Sequence, residues 1–460
     1  MFAPAFDTMT TPTSERAARS IRAGVPWWHP AAPSEARASV AAGSAPADSA
    51  GRLPFIALLI FTALLLLAPQ VHFPALRPLR LPFITGCFAI GTYLLERIFR
   101  HGQVTIRVRE LGILAALLGW AVLTLPASRW PGGSFDVITD GYSKSLVIFF
   151  LLVNLVVTPT RLRRMAWLLT LLSLPLAVST LVNYHSGVFV QGGNERVLGY
   201  EAPLTENPND LALLLNVTLS LSAGLLFAES RRWARALILI VIALDVAAII
   251  STFSRAGFFV LAIVVALFVW KVARRRGSTL AIFLAVAALA CIPLLPGGYM
   301  QRIGTSFDPK TDRTGSAEAR WELAKAAVGY VARHPIVGAG IGMDQLAMTD
   351  EMGIGVWISV HNIYLEYAVD LGFPGLVLFL MLLGSALAGT RLTERLLKRA
   401  GAPPALMSLH DGIQVSLVAL AGGALFTPGA YGWIVHYSIG MAVASRITFS
   451  AWNSPTEGAR

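Results

Sequence analysis

"IISTFSRAGFFVLAIVVALF", residues 249–268, holds the end of one apolar run, a short polar turn and most of a second apolar run. Crossing a hydrocarbon core of about 30 Å takes about 20 helical residues, because only a helix or a closed barrel satisfies its own backbone there. The runs either side of this turn, 235–252 and 255–273, fit that ruler, and the second opens on a cation, Arg255. The turn is therefore expected at a membrane surface.

The same ruler places further spans at 53–69, 81–99, 111–127, 144–158, 165–183, 210–228, 279–296, 361–389, 411–427 and 431–449, about twelve in all. With 55% hydrophobic and 14% charged residues among 460, a water-soluble globule is excluded. Cys87 and Cys291 sit in apolar runs and read as buried free thiols, without disulfide or metal spacing. The net charge of +11 resides in short clusters between apolar runs, such as Arg161, Arg163 and Arg164 or Arg274, Arg275 and Arg276. That pattern orients helices by the positive-inside rule and gives no reason to expect a nucleic-acid partner. It puts the loops after even-numbered spans, and both termini, in the cytoplasm.

The expected fold is an all-α polytopic membrane protein with one large periplasmic loop. A disordered cytoplasmic tail covers 1–52, spans one to nine cover 53–296, and the loop covers 297–360. Spans ten to twelve cover 361–449 and a cytoplasmic tail covers 450–460. Long loops that hold their own structure tend to carry function.

Inside the loop, "GSAEARWELAKAAVGYVARHPIVGAGIG" (315–342) predicts a helix over 316–333, capped by Ser316 and stopped by Pro335. Trp321, Ala324, Val328 and Val331 form an apolar stripe with Arg320 beside it. An arginine on a face that packs against the membrane domain is costly unless it meets an anion; the bland reading is snorkelling to the rim. Even-numbered spans start on the outer side. The sixth follows "ENPNDLALLLN" (206–216), where Asn207 and Asn209 can cap; the eighth starts at Arg255, and the tenth near His361 and Asn362 in "SVHNIYLEYAVDLGFPG" (359–375). Three helix starts with Arg255 and Arg320 around them would suit a diphosphate. A neutral imidazole at His361 could take a proton from a hydroxyl. A lone histidine at an interface is more often structural.

The ordered set of "STFSRAG" (251–257), "EARWELAKAAVGYVARHPIVGAGIG" (318–342) and "HNIYLEYAVDLGFPGLVLFL" (361–380) resembles the bacterial O-antigen ligase and O-antigen polymerase family. "RVLGYEAPLTENPNDLALLL" (196–215) looks like the segment that precedes them in the family. The resemblance implies a GT-C-like glycosyltransferase of the bacterial inner membrane, with its active site facing the periplasm. Such enzymes move a glycan from undecaprenyl diphosphate to an acceptor hydroxyl with inversion, and use no cofactor or metal. It assigns Arg255 and Arg320 to the diphosphate and His361 to catalysis. Arg196 and Arg302 are weaker diphosphate candidates, and Asn207, Asn209 and Asn362 supporting residues. The acceptor stays open between a growing exopolysaccharide chain, the lipid A-core of lipopolysaccharide and a protein.

Asp245, Glu366 and Asp370 fall within spans, and intramembrane acids pull towards a second class, a lipid-linked-sugar flippase or other twelve-helix transporter. No internal repeat supports it. A structural assembly protein would leave the arginines and histidine replaceable. No paired-carboxylate metal site is evident; Asp308 and Asp312 in "FDPKTDR" (307–313) come nearest and suit a polar loop.

Overall fold

In the computed structural model the described residues are 51–100, 105–190, 196–200, 207–290, 292–297, 299–304, 316–353, 355 and 357–452. The chain divides into Met1–Ser44 and Ala45–Arg460; the elements below belong to the second unit. The expected N-terminal tail lies outside the described residues, save Gly51 and Arg52, as do Cys291, Asp308 and Asp312.

Among the described residues every regular element is a helix. Those longer than about two turns are α1 (Arg52–Leu67), α2 (Leu81–Arg100), α3 (Arg109–Leu123), α4 (Ser143–Leu155), α5 (Pro159–His185), α6 (Pro208–Ala228) and α7 (Arg232–Ser251). After these come α8 (Arg255–Arg276), α9 (Ser278–Ala290), α10 (Ser316–Arg333), α11 (Asp344–Met352), α12 (Ile363–Arg399), α13 (Pro404–Gly423) and α14 (Trp433–Trp452). A helix lies over each expected span. Seven of them are long and apolar enough to cross a membrane: the Pro74–Phe99 segment containing α2, then α5, α6, α7, α8, α12 and α13. That makes the chain a polytopic membrane protein. α1 and α9 are apolar but shorter.

α3 and α14 are joined by a buried charge pair. Glu110 and Arg446 meet as a bidentate pair, with Arg446 Nη1 and Nη2 at 2.8 and 2.6 Å from the carboxylate oxygens. Ser385 of α12 donates to the same carboxylate, so one fully buried acid fastens three helices. Buried charge is tolerated when it is paired and its remaining lone pairs are satisfied.

α6 and α13 pack without side chains in between. A Cβ on Gly224 would stand 2.7 Å from the Cα of Gly412 and 2.8 Å from the Ser408 carbonyl oxygen. Small residues give such backbone approach in hydrocarbon, where apolar burial alone does not drive helices together. Cys87, expected buried, is exposed on α2, because an apolar run in a bilayer protein can present its side chains to lipid.

α12 is interrupted. Gly372 has φ 66° and ψ −170° inside its 37 residues, and Pro374 follows. Such a break frees carbonyl groups that must find donors. The turn after α10 supplies them: Ala339 N–H donates to Val369 O at 2.8 Å and Gly340 N–H to Asp370 O at 2.8 Å. Trp120 Nε1 donates to Leu371 O at 2.9 Å. Reciprocally, Phe373 N–H donates to Pro335 O at 2.8 Å. Gly338 at φ +71° and Gly340 at φ +101° sit in the left-handed region, where glycine carries no steric penalty. The glycine-rich turn and the "DLGFPG" break are thus two halves of one joint.

Candidate active site

The helix starts expected to converge do so. α6 opens at Asn207, whose Oδ1 accepts from Asn209 N at 2.9 Å and Asp210 N at 3.1 Å. α8 opens at Ser254, whose hydroxyl accepts from Gly257 N at 3.0 Å. α12 opens at Asn362, whose Oδ1 accepts from Tyr364 N at 3.0 Å and Leu365 N at 3.2 Å. Asn207 and Asn362 are therefore N-caps. Asn209 is something else: its Oδ1 takes the Ser254 hydroxyl at 2.7 Å and Arg196 Nη2 at 3.0 Å. It ties the start of α8 to that of α6 and holds Arg196 against both.

Arg255 is the first residue of α8, after a turn in which Phe253 adopts φ 50°. Bulky residues rarely hold that conformation outside constrained sites. Here the Phe253 ring packs on Tyr299, with centroids 5.2 Å apart, at the start of the loop.

α10 is present over the expected residues, but its buried face is rotated by about a quarter turn from the expected stripe. Leu323, Ala327, Tyr330 and Val331 are buried, whereas Trp321 and Val328 are 65% and 58% exposed. Two apolar stripes run along this helix, and the sequence does not say which one packs. The correction carries Arg320 onto the packed face, three residues before Leu323, where it is half-buried.

His361 lies two residues before α12 starts, so it sits outside the spanning helix expected over 361–389. Burial, and after it the positive charges of Arg320 and Arg196, lower its pKa from 6.5 to about 4. Both act in one direction, because each disfavours the imidazolium. Its Nδ1 is buried and has no hydrogen-bond partner among the described residues. Arg320, Arg196 and His361 therefore stand together, and the Arg196–Asn209–Ser254 bonds link them to the helix start that carries Arg255. Arg302 falls in a short helix, Tyr299–Gly304, and its side chain is outside the described residues.

Residues 238–380 match the family described as O-antigen ligase. This stretch is similar to the O-antigen ligase family. It runs from inside α7 to inside α12 and contains Arg255, Arg320, His361 and Asn362. No curated protein matches the chain. Arg196, Asn207 and Asn209 precede the matched residues, and the geometry joins them to the helix starts inside that stretch.

Sequence reasoning missed one cluster within the matched residues. Asp344, Glu366 and Asp370 are all buried, and one oxygen of each lies within 4.8 Å of the others. Glu366 and Asp370 were visible as intramembrane acids at i and i+4. Asp344 joins them only because the loop folds back, a proximity that sequence spacing does not show. The acids flagged as pathway residues are held locally: Asp245 Oδ2 accepts from Ser173 at 3.0 Å, and Glu366 accepts from the Gly429 and Ala430 amides at 2.8 and 3.1 Å.

Proposed function

We propose that the chain is an inverting glycosyltransferase that moves a glycan from undecaprenyl diphosphate to an acceptor hydroxyl at the periplasmic face of the bacterial inner membrane. The observation that carries this reading is the neutral His361 standing under two guanidinium charges at converging helix starts, within the stretch similar to the O-antigen ligase family. Twelve crossings, a periplasmic loop at 297–360 and cytoplasmic termini complete the proposal.

In the proposed reaction Arg255, Arg320 and Arg196, with the amides of the helix starts, bind the diphosphate. Arg302 is a further candidate. The acceptor oxygen attacks the anomeric carbon, its proton passes to His361, and the bond from that carbon to the diphosphate oxygen breaks with its electron pair on the leaving group. Fixed positive groups stabilise that growing charge more than the ground state. Burial is the first cause of the low His361 pKa, and the guanidinium charges are the second. A bound diphosphate neutralises them and raises the basicity of His361 when the acceptor proton must be taken. No step in this scheme calls for a cofactor.

A flippase is the competing reading, and the local bonding of Asp245 and Glu366 weighs against it. Reconstituted protein given undecaprenyl-diphosphate glycan separates the two. A transferase releases undecaprenyl diphosphate, whereas a flippase returns only intact donor. Donor alone should yield a ladder of longer glycans if the acceptor is another lipid-linked glycan, and no product if lipid A-core is required.

A further inference from the structure

α8 runs for 22 residues from Arg255 to Arg276, a length of about 33 Å that matches the hydrocarbon core of a bilayer. Its far end therefore lies at the other membrane surface from Arg255. There α6, α8 and α13 leave an open cleft of about 280 Å³. Phe227, Phe268 and Val272 line its apolar side, and Lys271, Arg276 and Ser408 line its polar side.

The charges at this end do not cancel. Asp411 accepts from Lys271 Nζ at 2.8 Å and from Arg275. Glu394 meets Arg275 and Lys398, both at 2.8 Å. Glu229, which follows α6, accepts from Arg163 and from Trp167 Nε1. With these acids engaged, no acid pairs with Arg274 or Arg276 among the described residues. Yet both guanidinium groups are held in place. Arg276 lies 4.8 Å over the Phe227 ring, and its Nη2 donates to Phe227 O at 3.0 Å and to Ser408 Oγ at 3.2 Å. Arg274 lies 5.1 Å over the Trp270 ring. A guanidinium already fixed in this way loses less freedom when an anion binds.

Depth identifies the anion. Trp270 beside the cleft and Trp233 at the start of α7 are 49% and 63% exposed, and tryptophans presented outward near the ends of spanning helices sit at headgroup level. Phe268 lies two turns deeper along α8 than Arg276, where acyl chains run. The cleft thus offers cations at headgroup depth and an apolar wall below them.

We propose that this cleft binds an anionic phospholipid of the leaflet opposite the His361 site. Arg274 and Arg276 would hold its phosphate, and Phe227 and Phe268 would receive the start of an acyl chain. Basic pockets between helices at a membrane surface recognise headgroups in this way. The bound lipid would fasten together the ends of α6, α8 and α13, and the site does not depend on the glycosyl-transfer reading.

The test gives the full chain, in mixed micelles at low salt, equal amounts of phosphatidylglycerol and phosphatidylcholine. Native mass spectrometry counts the lipid retained. Two arginines at the surface give an expected preference of about 30-fold for phosphatidylglycerol. Arg274→Gln with Arg276→Gln should bring the two lipids to within about threefold of each other. Arg395→Gln with Arg399→Gln, which removes equal charge from the same surface, should keep the preference. A wild type without preference overturns the proposal, whatever the variants do. Equal losses in the two double variants would show a diffuse surface charge in place of a site. Displacement of the lipid by inorganic phosphate, but not by chloride of equal ionic strength, would show a site for a soluble anion and overturn the lipid assignment.

Discussion

At the scale of single residues, the proposed chemistry rests on His361. An imidazole in water titrates near 6.5, and burial with Arg320 and Arg196 nearby moves this one to about 4. In the proposed reaction the working form is the neutral base, so activity is expected to be lost as pH falls through the folded-state pKa. For kcat/KM, which reports the free enzyme, the acid limb is expected near pH 4. For kcat, which reports the enzyme with diphosphate bound, it should lie at higher pH. Arg320→Gln removes a positive neighbour, raises the pKa of His361 and should move the kcat/KM limb upward. Initial rates from pH 3.5 to 7.5 check all three. The stability linkage has the same direction. Between 6.5 and about 4 the unfolded chain binds the proton that folded His361 refuses, so acidification across that window destabilises the fold. Arg255, Arg320 and His361 stand out in the sequence because each lies in a motif with ordered neighbours, and the structure sets Arg320 and Arg196 close to His361. Asn209 was legible only as a helix-start residue, because its role as a hub depends on Ser254, a residue 45 positions away.

Among the elements, α10 shows where periodicity runs out. Its existence and ends follow from Ser316 and Pro335, but a helix with two apolar stripes has no sequence signal for which one faces inward. The observed orientation has a direct check. Leu323→Ala should cost about 2–5 kcal/mol, whereas Trp321→Ser should stay within about 0.5 kcal/mol of wild type. Thermal or denaturant unfolding reads both, and the reverse ranking would restore the expected stripe. The break in α12 is a contrasting case. Gly372 and Pro374 signal an interruption in the sequence, yet the partner that satisfies the freed carbonyls is the "VGAG" turn more than thirty residues earlier, which only the folded chain brings into place.

For the molecule as a whole, apolar runs were enough to mark where helices lie, because the bilayer allows few alternatives to a helix. What they did not show is how the helices choose one another. That choice rests on polar contacts inside apolar sequence, such as Glu110 with Arg446, and on the glycine crossing of α6 and α13. Arg446→Met would leave Glu110 buried without its main counter-charge and should cost about 3–5 kcal/mol. Glu110→Gln with Arg446→Met together should recover much of that loss, measured by thermal unfolding in detergent. The acidic triad was illegible for a similar reason, since Asp344 precedes Glu366 by 22 positions and meets it only when the loop closes over α12. The central claim is that His361 takes the acceptor proton at a diphosphate site built by converging helix starts. Its most direct measurement is the rate of undecaprenyl diphosphate release by reconstituted wild type and His361→Ala at matched donor binding. A loss of about 100-fold or more in the variant, with donor binding and folding retained, is the expected result; release at the wild-type rate would contradict the account.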